Sequence, residues 1–199
     1  RFTDLTEEQS GYLATIENDA KTLLSLISDV LDISKIEAGK LELENAPFSL
    51  HSCITQLIKS QEARVAGKAV ALVYEVADDA PDSLFGDQLR LKQILYNLVG
   101  NAIKFTSKGE IRVAIELLER QADKALFRFS VRDTGIGIKP EVMEKIFAPF
   151  AQADSSVSRC FGGSGLGLTI CSRLVRQMGG EIVVESREGK GPSRLPCRS

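Results

Sequence analysis

Six apolar residues near the start of the chain, Leu13, Ile16, Ala20, Leu23, Ile27 and Val30, recur at steps that alternate between three and four. An α-helix brings such a series into one line, and a line this regular is the seam of a coiled coil or helical bundle. Leu24 and Leu31 widen it. Thr6-Glu7-Glu8-Gln9 opens the segment with capping-box spacing, Thr6 as N-cap and Gln9 at the third helical position. Gly39 closes it. The spacing predicts one long helix over residues 6–37. A single helix cannot bury this stripe alone and needs a partner; packing on its own domain is the alternative that the pattern leaves open.

After Gly39 the texture changes. Residues 40–44 alternate as in a short strand, and Ala46-Pro47 breaks it. Ser49 or Ser52 caps a helix to about residue 66. Residues 70–76 read as a strand, 79–81 as a turn, and 88–105 as a helix. Ser107-Lys108-Gly109 turns into a strand at 111–118, and a polar turn around Ala122-Asp123 joins it to a second strand at 126–132, which is a hairpin. Lys139-Pro140 starts a short helix. Residues 148–164 form a loop rich in Ser, Ala and Gly. A helix at 166–178 is stopped by Gly179-Gly180, and 181–186 is a strand. Without the regular period of a doubly wound sheet, this order fits a mixed sheet covered on one face by helices.

Composition excludes several classes. With 199 residues, 43% hydrophobic and 26% charged, the chain is a globular one with room for a sizeable core. A net charge of −2 provides no electrostatic footprint for nucleic acid. No apolar run approaches the roughly 20 residues that span a bilayer, so any membrane anchor of a parent protein, such as one in the inner membrane, lies outside these residues. Cys53, Cys160, Cys171 and Cys197 are far apart, form no CxxC pair, and have only His51 as a possible companion. They read as reduced thiols of a cytosolic domain rather than a zinc site. The chain opens at Arg1 and reads as a piece of a longer protein.

Three segments carry chemistry. In Asn97-Leu98-Val99-Gly100-Asn101-Ala102-Ile103-Lys104-Phe105, Asn97, Asn101 and Lys104 share one helix face. Amide oxygens suit Mg²⁺, and a lysine one turn on reaches phosphate. A solvated polar face is the bland alternative. Asp133-Thr134-Gly135-Ile136-Gly137-Ile138 follows a strand. Its glycines admit a ligand close to the backbone, and its aspartate can accept from an exocyclic amine; a plain turn would look similar. Gly162-Gly163-Ser164-Gly165-Leu166-Gly167-Leu168 opens a helix, so its free N–H groups make an anion site. It matches neither a P-loop nor a dinucleotide fingerprint.

In this order the segments resemble the histidine kinase family, within the ATPase superfamily shared with gyrase, MutL and a chaperone. Residues 97–106 resemble the N box and 133–138 the first glycine box. Phe147-Ala148-Pro149-Phe150 resembles the F box and 162–168 the second glycine box. Ile33-Ser34-Lys35-Ile36-Glu37-Ala38-Gly39-Lys40-Leu41 resembles the end of the second helix of a dimerisation domain. Ser155-Ser156-Val157-Ser158-Arg159 is similar to kinases that often carry receiver domains.

The resemblance implies an α/β two-layer sandwich, the Bergerat ATP-binding fold, at residues 41–199. A helix from the helical-bundle dimerisation domain, residues 1–40, precedes it. Asn101 would hold Mg²⁺ with Asn97 beside it. Lys104 would meet phosphate, Phe105 would pack near the adenosine, and Asp133 would read the adenine amino group, with Gly135 and Gly137 admitting the base. Residues 148–164 would be a mobile lid. Gly163, Gly165, Leu166 and Gly167 would wrap the phosphates, and Arg159 would meet the γ-phosphate. The implied activity is transfer of the ATP γ-phosphate to a histidine in two-component signalling. The implied partners are an upstream helix carrying that histidine, a response regulator or receiver domain, and a second copy of the parent. His51, beyond the dimerisation helix, reads as a helix-start residue and not the acceptor, so these residues alone are expected not to autophosphorylate. A serine kinase or ATPase of the same superfamily, and a pseudokinase serving only dimerisation, are the competing readings. The prolines at 192 and 196 argue against a last paired strand, so the sheet is expected to lack one.

Overall fold

The computed structural model describes residues 5–121, 124–143, 145–148, 165–186 and 193–198. They fall into two compact units, residues 1–41 and 42–199.

The first unit is α1, Glu7–Glu37. Thr6 and Gln9 form the capping box reciprocally: the Gln9 N–H donates to Thr6 Oγ1 at 3.2 Å, and the Thr6 N–H donates to Gln9 Oε1 at 3.0 Å. Ala38 is the C-cap, and Gly39 follows in the left-handed region at φ 63°. The seam residues Leu13, Ile16, Leu23, Ile27 and Val30 are all exposed.

The second unit runs β1 (Ala46–Ser49), α2 (Leu50–Val65), β2 (Ala69–Val76), β3 (Ser83–Gly86), α3 (Gln88–Phe105), β4 (Lys108–Arg120) and β5 (Ala125–Asp133). It continues through α4 (Pro140–Met143), α5 (Gly167–Gln177), β6 (Glu181–Ile182) and β7 (Ser193–Arg198). The main sheet has the order β2-β4-β5-β7-β6, parallel at β2–β4 and antiparallel elsewhere. On β4, Ile111, Val113 and Ile115 are buried, and on β5 so are Phe127, Phe129 and Val131, with Val113 opposite Val131 and Ile115 opposite Phe129. α2 contributes Ile54 and Leu57, α3 Leu95 and Leu98, and α5 Ile170 and Leu174, each at most 2% exposed. The other face is charged: Arg112 pairs with Glu110 and Glu75, and Arg128 with Glu116. One apolar face under helices and one wet face are what alternation along an antiparallel strand produces.

Several strand expectations need correction. Residues 40–44 are not a strand; the strand lies just beyond, with Pro47 inside it, paired antiparallel to β3 in a separate two-stranded sheet. β3 went unrecognised. Lys108 and Gly109 belong to β4 and not to a turn, and β6 is only two residues long. The last strand is present: β7 lies between β5 and β6. Pro196 is tolerated because β6 pairs only with Cys197 and Arg198, so at Pro196 the strand has a single neighbour.

Candidate nucleotide site

α3 is anchored before it presents any chemistry. Its N-cap Asp87, only 7% exposed, accepts from the N–H groups of Arg90 at 2.9 Å and Glu44 at 3.1 Å. Leu91, Ile94, Leu95 and Leu98 fix its rotation by burial, which leaves Asn97, Asn101 and Lys104 half-buried along one face. Lys104 Nζ lies 4.9 Å above the Phe105 ring, and burial pushes its pKa below the ordinary value.

The Asp133 loop docks on the end of this helix. The Gly135 N–H donates to Asp133 Oδ1 at 2.9 Å, and the Ile136 N–H donates to the Phe105 carbonyl at 3.3 Å. A Cβ on Gly135 would sit 2.5 Å from that carbonyl oxygen and 2.8 Å from Asp133 Oδ1, so only glycine permits the approach. Gly137, at φ 73°, turns the loop. Thr134 Oγ1 accepts from the Glu110 N–H at 3.0 Å, and the Ile138 N–H donates to Ser186 Oγ at 2.8 Å. The loop is thereby tied at one end to the start of β4 and at the other to Ser186, four residues beyond β6.

α5 approaches from the other side. A Cβ on Gly167 would meet Asn97 Oδ1 at 3.3 Å, so the helix start lies against the first asparagine. Leu166 is the N-cap and makes no side-chain capping bond, which leaves first-turn N–H groups uncapped by it and able to receive an anion. Thr169 Oγ1 donates to the Phe147 carbonyl at 3.0 Å, and Cys171 Sγ to the Ile94 carbonyl at 3.7 Å.

The described residues thus gather Asn97 with Gly167, and Phe105 with Lys104, Asp133 and Gly135. Gly165 stands two residues before α5 at φ 70°. Leu166, 2% exposed, is a core residue whose backbone alone can face a ligand. Arg159, Gly163, Pro149, Phe150 and residues 149–164 of the expected lid lie outside the described residues. His51 stands at the start of α2, its N–H donating to Asp82 Oδ1 at 2.7 Å. Three tethers, Thr169, Ser186 and Asp87, were not singled out in the sequence. Only Asp87 carried a usable signal there, as an aspartate directly ahead of an apolar helical run.

Mg²⁺ fits this face. Among the described residues no group of three or more His, Cys, Asp or Glu could cage a metal. Two amide oxygens one turn apart suit a small hard cation that keeps waters and takes further oxygens from phosphate.

The sequence pattern described as histidine kinase-, DNA gyrase B-, and HSP90-like ATPase matches residues 86–193, more than half of the chain. The chain belongs to this ATPase family. The His Kinase A (phospho-acceptor) domain matches residues 1–39. The sensor histidine kinase GacS of Pseudomonas protegens is 48% identical over 189 residues, which cover 95% of this chain and 21% of that protein. The chain thus spans about a fifth of that relative. The crystal structure of full-length ShkA in complex with AMPPNP superposes with a TM-score of 0.80 at 34% identity, over 99% of this chain and 40% of that one. Histidine kinase ThkA, solved in complex with the response regulator TrrA, gives a TM-score of 0.65 at 27% identity, over 98% and 53% of the respective chains. Likeness of this extent makes the second unit a histidine-kinase ATPase domain with the mixed-sheet Bergerat architecture. No helix among the described residues is long and apolar enough to cross a membrane.

Proposed function

We propose that this chain is the ATP-binding catalytic core of a sensor histidine kinase, which passes the γ-phosphate of Mg-ATP to a histidine on a companion helix. The observation that carries the reading is the convergence on α3. Its last turn holds the Asp133 loop through the Phe105 carbonyl, and its middle faces the glycine at the start of α5 through Asn97. A nucleotide laid between them meets an acceptor for its base at Asp133, a cation at Lys104 and helix-start N–H groups at its phosphates. The resident metal would be held by Asn101 with Asn97, and it supplies neutralisation of charge on the phosphate oxygens.

In the transfer, the imidazole nitrogen forms a bond to the γ-phosphorus as the bridging P–O bond breaks, and ADP leaves. The protein's part is positioning and electrostatics. Asn97 fits this restraint: an amide is no base, so it does not activate water, and the phosphoryl group is kept for the histidine. We assign α1 to the dimerisation domain, with its exposed seam meeting the acceptor-bearing helix in a homodimer. A response regulator or receiver domain takes the phosphoryl group, and the whole works in the cytoplasm, where ATP is available. Arg159 and Gly163 complete the phosphate grip in this reading.

Incubation with γ-labelled ATP tests it. This chain mixed with a helix from upstream of Arg1 should acquire acid-labile label on that helix, and Asn101→Ala should abolish it. Acid-stable label would instead establish a serine kinase, and absence of Mg-ATP binding a pseudokinase. Asp133→Asn should weaken ATP binding in calorimetry, because the amide turns one acceptor into a donor.

A further inference from the structure

The last four carbonyls of any helix lack helical partners, and in α3 those carbonyls border the nucleotide site. Ala102 O accepts from the Thr106 N–H at 3.0 Å. Phe105 O accepts from Ile136 in the Asp133 loop at 3.3 Å. Between them, Ile103 O accepts from Lys68 Nζ at 3.0 Å, across 35 residues of sequence. Lys68 stands in the tight turn between α2 and β2, directly after Gly67 at φ 80°, and its own N–H donates to Val65 O at 2.9 Å. A backbone-fixed turn therefore delivers an ammonium group to the negative end of α3, one residue before Lys104 and two before Phe105.

We propose that Lys68 is a positioning residue for the nucleotide site, holding the last turn of α3 so that Lys104 and the Asp133 loop keep their spacing. The inference rests on the nucleotide reading above. Its logic is mechanical. The final turn is held at two points, by Lys68 on Ile103 and by Ile136 on Phe105. Release of the first hold lets the turn fray, and the fraying reaches the carbonyl on which the adenine-reading loop hangs. Lysine suits the task because its unbranched stem reaches a part-buried carbonyl while its charge complements the helix end. Lys68→Met keeps the stem and deletes the bond; Lys68→Arg keeps charge and donor.

The test compares wild type, Lys68→Met and Lys68→Arg in the 199-residue chain, by calorimetry with Mg-ADP and by amide hydrogen exchange. Thermal unfolding identifies a temperature at which all three are folded. Lys68→Met should bind about five- to tenfold more weakly, with faster exchange at the Ile136 amide, and Lys68→Arg should recover most of both. Simple helix capping would speed exchange at the end of α3 and leave Ile136 unchanged. Equal affinity in Lys68→Met, or a loss that vanishes wherever the protein is folded, would overturn the proposal. So would an arginine variant as weak as the methionine one. If wild type binds no Mg-ADP, the nucleotide reading fails, while Ile136 exchange still decides whether Lys68 holds the loop.

Discussion

α1 and α3 are built from the same material and meet opposite fates. Each opens with a side-chain cap, Thr6 in one and Asp87 in the other, and each carries a leucine-rich stripe. On α1, Leu23 and Leu24 remain 58% and 67% exposed; on α3, Leu95 and Leu98 are 0% and 1% exposed. The stripe of α3 is answered within its own unit by α2, α5 and the sheet. That of α1 stays exposed along its seam. Amphipathicity therefore says that a helix needs a partner, and only the surrounding elements say whether the partner is already present.

Truncation should break the comparison most visibly. Leu98→Ala should cost about 2–5 kcal/mol in urea unfolding of the second unit, from lost burial and the cavity left behind. Leu23→Ala should leave that transition in place, with any effect confined to self-association read by light scattering. Equal destabilisation by both would show that α1 is packed as firmly as α3.

The polar faces sharpen the contrast. Burial lowers the pKa of Lys104 below the ordinary lysine value of 10.5. The unfolded chain then binds more protons than the folded one between the two values, so this group makes apo stability rise with pH across that window. Phosphate binding favours the charged form, so nucleotide affinity should fall at a lower alkaline pH than an ordinary lysine would dictate, with proton uptake on binding. Lys104→Met should lose about tenfold or more in affinity and flatten the pH profile; an unchanged profile would remove Lys104 from the phosphate site.

The smallest effect concerns glycine within each helix. A Cβ on Gly11 of α1 meets nothing within 4 Å, whereas one on Gly100 of α3 would press on Arg64 Nη1 at 3.2 Å. Gly11→Ala should raise helix stability by about 0.5–1 kcal/mol, seen as a higher midpoint in circular dichroism. Gly100→Ala should gain less, because Arg64 must move.

Much of this was legible in the residues. The bounds of α3, the capping box of α1, the hairpin and the order of the site segments follow from periodicity, capping chemistry and glycine placement, which are local. The failures were non-local. β1 and β3 are four residues each, and Pro47 is admitted because it pairs with Phe85 in a two-stranded sheet. β7 carries a proline that is harmless only because β6 stops short of it. No local pattern reports how many neighbours a strand will have. Within the site, Asp133 and Gly135 stood out as types, but the seat of their loop on the Phe105 carbonyl, made through the Ile136 N–H, depends on the sheet bringing β5 to the end of α3.

That seat sets how this chain can drift over evolutionary time. At most sites a substitution is judged by its size, polarity or charge, and conservative exchanges pass. At Gly135 the obstacle is the first side-chain carbon, which every other residue possesses, so no replacement is conservative and chemistry-based similarity scores mislead. A lineage can change that position only after the end of α3 has moved away, which makes codon 135 a record of backbone geometry rather than of side-chain preference.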